Sequence, residues 1–110
     1  MVEIKGTKIT MTRGDTLRTQ VLMTDSEGNE YTPQEGDVIR FAMKKTYEDK
    51  EPLILKVIPH ESMTLTLDPE DTKSLPAPAS FVYDIEITYA DGAVDTFINK
   101  AKLTLTEEVY

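Results

Sequence analysis

The chain has 110 residues, with 20 Asp and Glu against 12 Lys and Arg, a formal net charge of −8 and no cysteine. That length fits a single domain over 1–110, which on folding hides roughly 65% of the surface its unfolded chain would expose. The missing cysteines exclude a disulfide framework and thiolate metal sites, and the negative field argues against nucleic acid or an anionic membrane as the main partner.

The first strand is expected at Lys8 to Thr12, where Ile9 and Met11 alternate with polar residues. Arg13-Gly14-Asp15 reads as a turn, and a second strand follows over Thr16 to Thr24. The segment Asp25 to Asn29 has the composition of a hairpin loop, with a short return strand at Glu30-Tyr31-Thr32 that Pro33 stops. Gly36-Asp37 repeats the Gly-Asp step just before the apolar run Val38 to Lys44. Both steps read as strand entrances, in which Gly takes a positive φ and the Asp carboxylate accepts a nearby backbone N–H. Within the run, Ile39, Phe41 and Met43 are expected inside, and Arg40 and Lys44 in water.

Thr46 to Glu51 is polar and reads as a solvent loop, whereas Leu53 to Ile58 is apolar enough to be a central strand covered on most of both faces. Met63, Leu65 and Leu67 alternate with threonines, which predicts a half-buried strand. Asp68-Pro69-Glu70-Asp71 carries an N-cap, a first-turn proline and acidic residues, so one short helix is expected near 69–75, ended by Pro76 and Pro78. Phe81 to Tyr89 alternates strictly and runs into Asp91-Gly92, the signature of a β-hairpin. Val94–Ile98 and Ala101–Thr106 complete the set as two strands. The result is all-β: an immunoglobulin-like antiparallel sandwich of 8–9 short strands, in which Phe41, Phe81 and Tyr83 replace the Cys pair and Trp that usually mark such a core.

Residues that carry chemistry are scarce. Arg13-Gly14-Asp15 spells an integrin-type tripeptide, but a turn with Asp capping the loop explains it, and explains Gly36-Asp37 as well. The acidic groups Asp68, Glu70 and Asp71, and Asp84, Glu86, Asp91 and Asp95, lack the spacing of a calcium loop. The pairs Asp84/Glu86 and Asp91/Asp95 would be the carboxylates to try for sugar hydrolysis, yet alternation turns them to water. His60, the single histidine, sits in a turn beside Glu61 with no partner for a triad or a zinc site. No catalytic, cofactor-binding or metal-binding residue is therefore expected, and no enzyme activity. Tyr31, Tyr47, Tyr89, Phe97 and Tyr110 would form a binding platform if several converged on one face. Strands Lys8–Thr12 or Ala101–Thr106, left open at a sheet edge, would favour assembly by strand addition, with Lys8, Lys100 and Lys102 as guards against it. Met1 to Lys5 shows no export signal, and no window approaches the length that spans a bilayer.

Several stretches resemble the N-terminal domain of baseplate upper proteins, a β-sandwich of tail and baseplate proteins in phages and prophages of low-GC Gram-positive bacteria. They are Thr12-Arg13-Gly14-Asp15-Thr16, Gly36-Asp37-Val38-Ile39-Arg40-Phe41, Leu67-Asp68-Pro69-Glu70-Asp71-Thr72, Tyr83-Asp84-Ile85-Glu86-Ile87, and Thr96 to Leu105. The resemblance implies a structural module of the virion that packs against other tail subunits or itself, located in the virion or, as a prophage product, in the bacterial cytoplasm. A carbohydrate- or host-surface-binding sandwich is the alternative, and exposed aromatics at one end would distinguish it.

Overall fold

The computed structural model describes residues 2–5, 7–24 and 29–108, with the backbone alone described for 2–5. Eight strands and one helix follow in chain order: β1 (Val2–Lys5), β2 (Lys8–Thr12), β3 (Leu17–Gln20), β4 (Val38–Lys44), β5 (Ile54–Ile58), β6 (Thr64–Leu67), α1 (Pro69–Lys73), β7 (Ala79–Thr88) and β8 (Val94–Thr106). The chain is all-β, as the alternation predicts. The hairpin loop at Asp25 to Asn29 lies, but for Asn29, outside the described residues, as does Tyr110. The return strand is reduced to one bridge, Thr24 to Glu30.

Six strands form one sheet in the order β1-β2-β8-β7-β4-β5, and β3 pairs β6 in a second. One pairing departs from the all-antiparallel expectation: β2 runs parallel to β8, from Ile9 opposite Leu103 to Thr12 opposite Thr106. Parallel neighbours are joined by no local turn, so nothing in the intervening sequence announces them. The same order places β2 and the second half of β8 inside the sheet, so neither meets the condition under which it would favour strand addition.

Period-2 alternation builds the core. Ile39, Phe41 and Met43 on β4, Phe81, Tyr83, Ile85 and Ile87 on β7, and Ala101, Leu103 and Leu105 on β8 are buried in one cluster with Leu17, Leu65 and Leu67 of the small sheet. Phe41 and Tyr83 stack with ring centroids 5.1 Å apart.

The two strands expected at the C-terminal end are a single strand, β8. Two irregularities in its pairing with β7, between Tyr83 and Ile85 and between Ile85 and Glu86, each insert an extra residue on β8. Lys100 sits at one of them with φ +58, and its N–H donates to Asp84 Oδ1 at 2.8 Å. The bulges break the alternation, so Phe97 and Ile98, neighbours in sequence, are both partly buried against the core.

The expected central strand, Leu53 to Ile58, is the edge strand β5. Its inner residues Ile54 and Ile58 are buried, while Leu53, Leu55 and Val57 are 50%, 59% and 65% exposed. An apolar run reads as covered on both faces when composition alone is weighed; the sheet order leaves the outer face bare.

Candidate functional site

Asp37 organises one end of the large sheet. Gly36, at φ +97, turns the chain into β4, and a Cβ there would lie 3.1 Å from the Ala90 Cβ, so the turn and the β7–β8 hairpin touch at a place only glycine fits without strain. Asp37 is 8% exposed. Its Oδ2 accepts the Gln34 N–H at 2.9 Å and the Tyr31 hydroxyl at 2.8 Å, and its Oδ1 accepts the Ala90 N–H at 3.2 Å. Donors aimed at the ionised form hold this carboxyl below the usual range, the Gln34 N–H contributing most. Donating its hydroxyl to Asp37 pushes the Tyr31 phenol up to about 12. Tyr31 meets Tyr89 edge-on, centroids 5.9 Å apart.

Beside this corner lies a cleft of about 400 Å³ between the segments 20–23, 30–33 and 60–63. His60 and Glu61 stand on its wall, Nδ1 to Oε1 at 3.1 Å. Val21, Met23, Pro33 and Met63 supply apolar surface, and Glu30, Gln20 and Ser62 polar groups. Tyr31 and Tyr89 therefore share one end of the molecule with His60. Tyr47 is elsewhere, on the outer face, with the Lys100 Nζ 6.0 Å from its ring centre. Among the described residues, the aromatics do not gather into one platform.

The acidic residues scatter into separate tasks. Asp71 Oδ2 accepts the Asp68 N–H at 2.7 Å to cap α1 and pairs with Lys56 Nζ at 3.0 Å. Asp84 caps the bulge, Glu86 lies 4.0 Å from Arg40 on an open face, and Asp91 Oδ1 accepts the Ala93 N–H at 2.9 Å in the hairpin turn. Asp95 and Glu70 are exposed. Among the described residues, no three His, Cys, Asp or Glu side chains come close enough to hold a metal ion.

Arg13-Gly14-Asp15 is fastened on both sides. The Arg13 guanidinium donates to Glu108, Nη2 to Oε1 at 2.6 Å, and to the Leu75 carbonyl at 3.0 Å. The Gly14 N–H donates to the fully buried Thr72 hydroxyl at 2.9 Å. Contact with Arg13 keeps Glu108 below the usual carboxylate range. This tripeptide staples the β2–β3 turn to α1 and to the chain after β8.

The outer face of β4 and β5 remains. Cross-strand rows run Leu55–Ala42–Asp84 and Val57–Arg40–Glu86, and a shallow cavity of about 160 Å³ is lined by Ala42, Lys44, Tyr47 and Val82. Among the described residues, no strand is hydrogen-bonded to the far side of β5. Its one charge, Lys56, is tied to Asp71. An open edge whose outward side chains are apolar is what soluble sheets usually avoid.

No protein family, curated protein or solved structure matches this chain.

Sequence reasoning missed β5 as an edge and missed Arg13–Glu108. For β5 a signal existed: Pro52 and Pro59 bracket the run, and proline gathers at edges because it cannot donate to a ladder. For two residues 95 positions apart, the sequence holds none.

Proposed function

We propose that this chain is a non-enzymatic structural module of a phage or prophage tail or baseplate, which assembles with other virion subunits or with itself. The open β5 edge, with Leu53, Leu55 and Val57 bare beside it, is the observation that carries assembly, because strand addition supplies main-chain hydrogen bonds and covers apolar side chains together. The phage setting rests on the five resembling segments. Three of them hold the fold's fasteners: the Arg13 staple, the Asp37 corner and the α1 cap. The finer fold reading, an immunoglobulin-like sandwich, draws support from the two sheets sharing one core.

Tail particles purified after prophage induction test this reading. Mass spectrometry is expected to find the chain in the particles at a fixed ratio to other tail proteins. Its absence from particles, with the chain abundant in the soluble fraction, would overturn the virion assignment.

A second reading, a carbohydrate- or host-surface-binding module, is favoured by the cleft of about 400 Å³ beside Tyr31 and His60. Cell-wall glycans titrated against the labelled protein are expected to shift resonances of the segments 20–23 and 60–63 under that reading and to leave them unmoved under the first.

A further inference from the structure

Resting on the assembly reading of this edge, we propose that β5 is a homodimer seam: two copies pair antiparallel through Ile54–Ile58 about a two-fold axis at Lys56, joining their large sheets into one.

The seam is written in a near-palindrome. From Leu53 to Pro59 the sequence is Leu-Ile-Leu-Lys-Val-Ile-Pro, with apolar residues at equal distances on both sides of Lys56. An isologous contact requires this self-complementarity, since each residue meets its mirror position on the other copy. With Lys56 on the axis, Leu55 faces Val57 of the second copy on the outer surface, and Ile54 lines up with Ile58. Both outward side chains, 59% and 65% exposed in the single chain, gain an apolar cross-strand neighbour. A slip of one residue sets outward positions against inward ones. A slip of two shortens the overlap below the full strand.

Lysine at the centre is compatible with the pairing because it does not stand alone. Lys56 Nζ lies 3.0 Å from Asp71 Oδ2, so the axis receives two lysines and two aspartates, a set of charges that sums to zero. The opposite margin of the sheet differs: β1 alternates Val2 and Ile4 with Glu3 and Lys5, and a charged strand is a poor match for an apolar one. This favours a closed two-fold pair over an open head-to-tail chain.

The strand is short, five residues, so the buried area falls at the low end for specific interfaces, under about 1,200 Å². Each copy also carries a charge of −8. The dimer is therefore reversible, rises with concentration and strengthens with salt as repulsion is screened.

Sedimentation of the full chain across a concentration series, at low and high salt, is the first measurement. The expected mass climbs from 12.4 kDa towards twice that value, further at high salt. Val57→Lys, at an exposed position, is expected to keep the wild-type circular dichroism melt and stay monomeric. Because the chain has no cysteine, single-cysteine variants read the register directly. A mixture of Leu55→Cys and Val57→Cys, or Lys56→Cys alone, is expected to form disulfide dimers on mild oxidation. Whichever position falls at the closer, non-hydrogen-bonded pair reacts faster.

A monomer at every concentration overturns the seam, as does a dimer that survives Val57→Lys and forms neither disulfide, or growth into long oligomers. Virion incorporation is scored separately. A monomer still found in tail particles sinks the seam and leaves the virion reading intact. A dimer with the expected disulfides, absent from particles, supports the seam and removes the virion reading.

Discussion

The Asp37 corner and the β5 edge flank the same strand, β4, and handle chemistry in opposite ways. At the corner a carboxylate is drawn inside, and three donors from two segments, the stretch before β4 and the β7–β8 turn, satisfy it. At the edge three apolar side chains, Leu53, Leu55 and Val57, are left half or more exposed. Residue type predicts neither outcome. A charge can be buried where the surrounding backbone supplies its hydrogen bonds, and a leucine is exposed where the sheet runs out of strands. The corner reads as the part of the molecule that is finished; the edge reads as unfinished until something joins it.

Substitutions that treat the two places alike should break the contrast if it is wrong. Ile58→Ala, on the inward side of β5, is expected to cost the most, about 3 kcal/mol by urea denaturation, because it opens a cavity in the core. Asp37→Ala comes next, with a fall in melting temperature on the order of 10 °C, since Tyr31, Gln34 and Ala90 lose their acceptor. Gly36→Ala should lose about 1–2 kcal/mol in the same denaturation assay, the cost of a side chain at positive φ. Val57→Thr, one residue from Ile58 but facing out, should move stability by less than about 0.5 kcal/mol.

Titration sharpens the same comparison. Asp37 is depressed below 3.8 and Glu108 below 4.5, so their stabilisation is complete above those values and is lost as pH falls through the lower, folded ones. Tyr31 and Tyr83 are raised from 10.0 to about 12. Tyr31 owes this first to its bond with Asp37, and Tyr83 to burial. Their contribution is complete below pH 10 and disappears as pH climbs towards 12. In Asp37→Asn the acid limb of the stability curve should flatten, and the Tyr31 phenol should titrate closer to 10.0 by ultraviolet absorbance. An unchanged acid limb would mean the corner is not held by that charge.

What was legible in the sequence is what neighbouring residues decide. The Asp91-Gly92 hairpin, the Asp68-Pro69 helix start and the two Gly-Asp entrances each depend on a few adjacent φ angles and caps, and each lies where it was read. Inward alternation on β4 and β7 was equally plain. Sheet order was not, because whether Leu53 to Ile58 lies at the centre or the margin depends on strands far away in the chain. The bulges on β8 misled for another reason: an inserted residue shifts the phase of alternation, so one long strand reads as two. Of the candidate site, the Asp37 carboxylate was anticipated as a cap, but its reach to Tyr31 and Ala90 required the folded chain.

The parallel β2–β8 pair sets how the molecule bears load. When tension is applied between Lys8 and Thr106, the two strands are drawn lengthwise past each other, and the ladder from Ile9–Leu103 to Thr12–Thr106 must yield as a block. Tension applied across the open Ala79–Leu105 end of the hairpin would part its rungs one by one. Single-molecule pulling between the first pair of points is expected to need the greater force, a useful property in any protein that must hold a larger object together under strain.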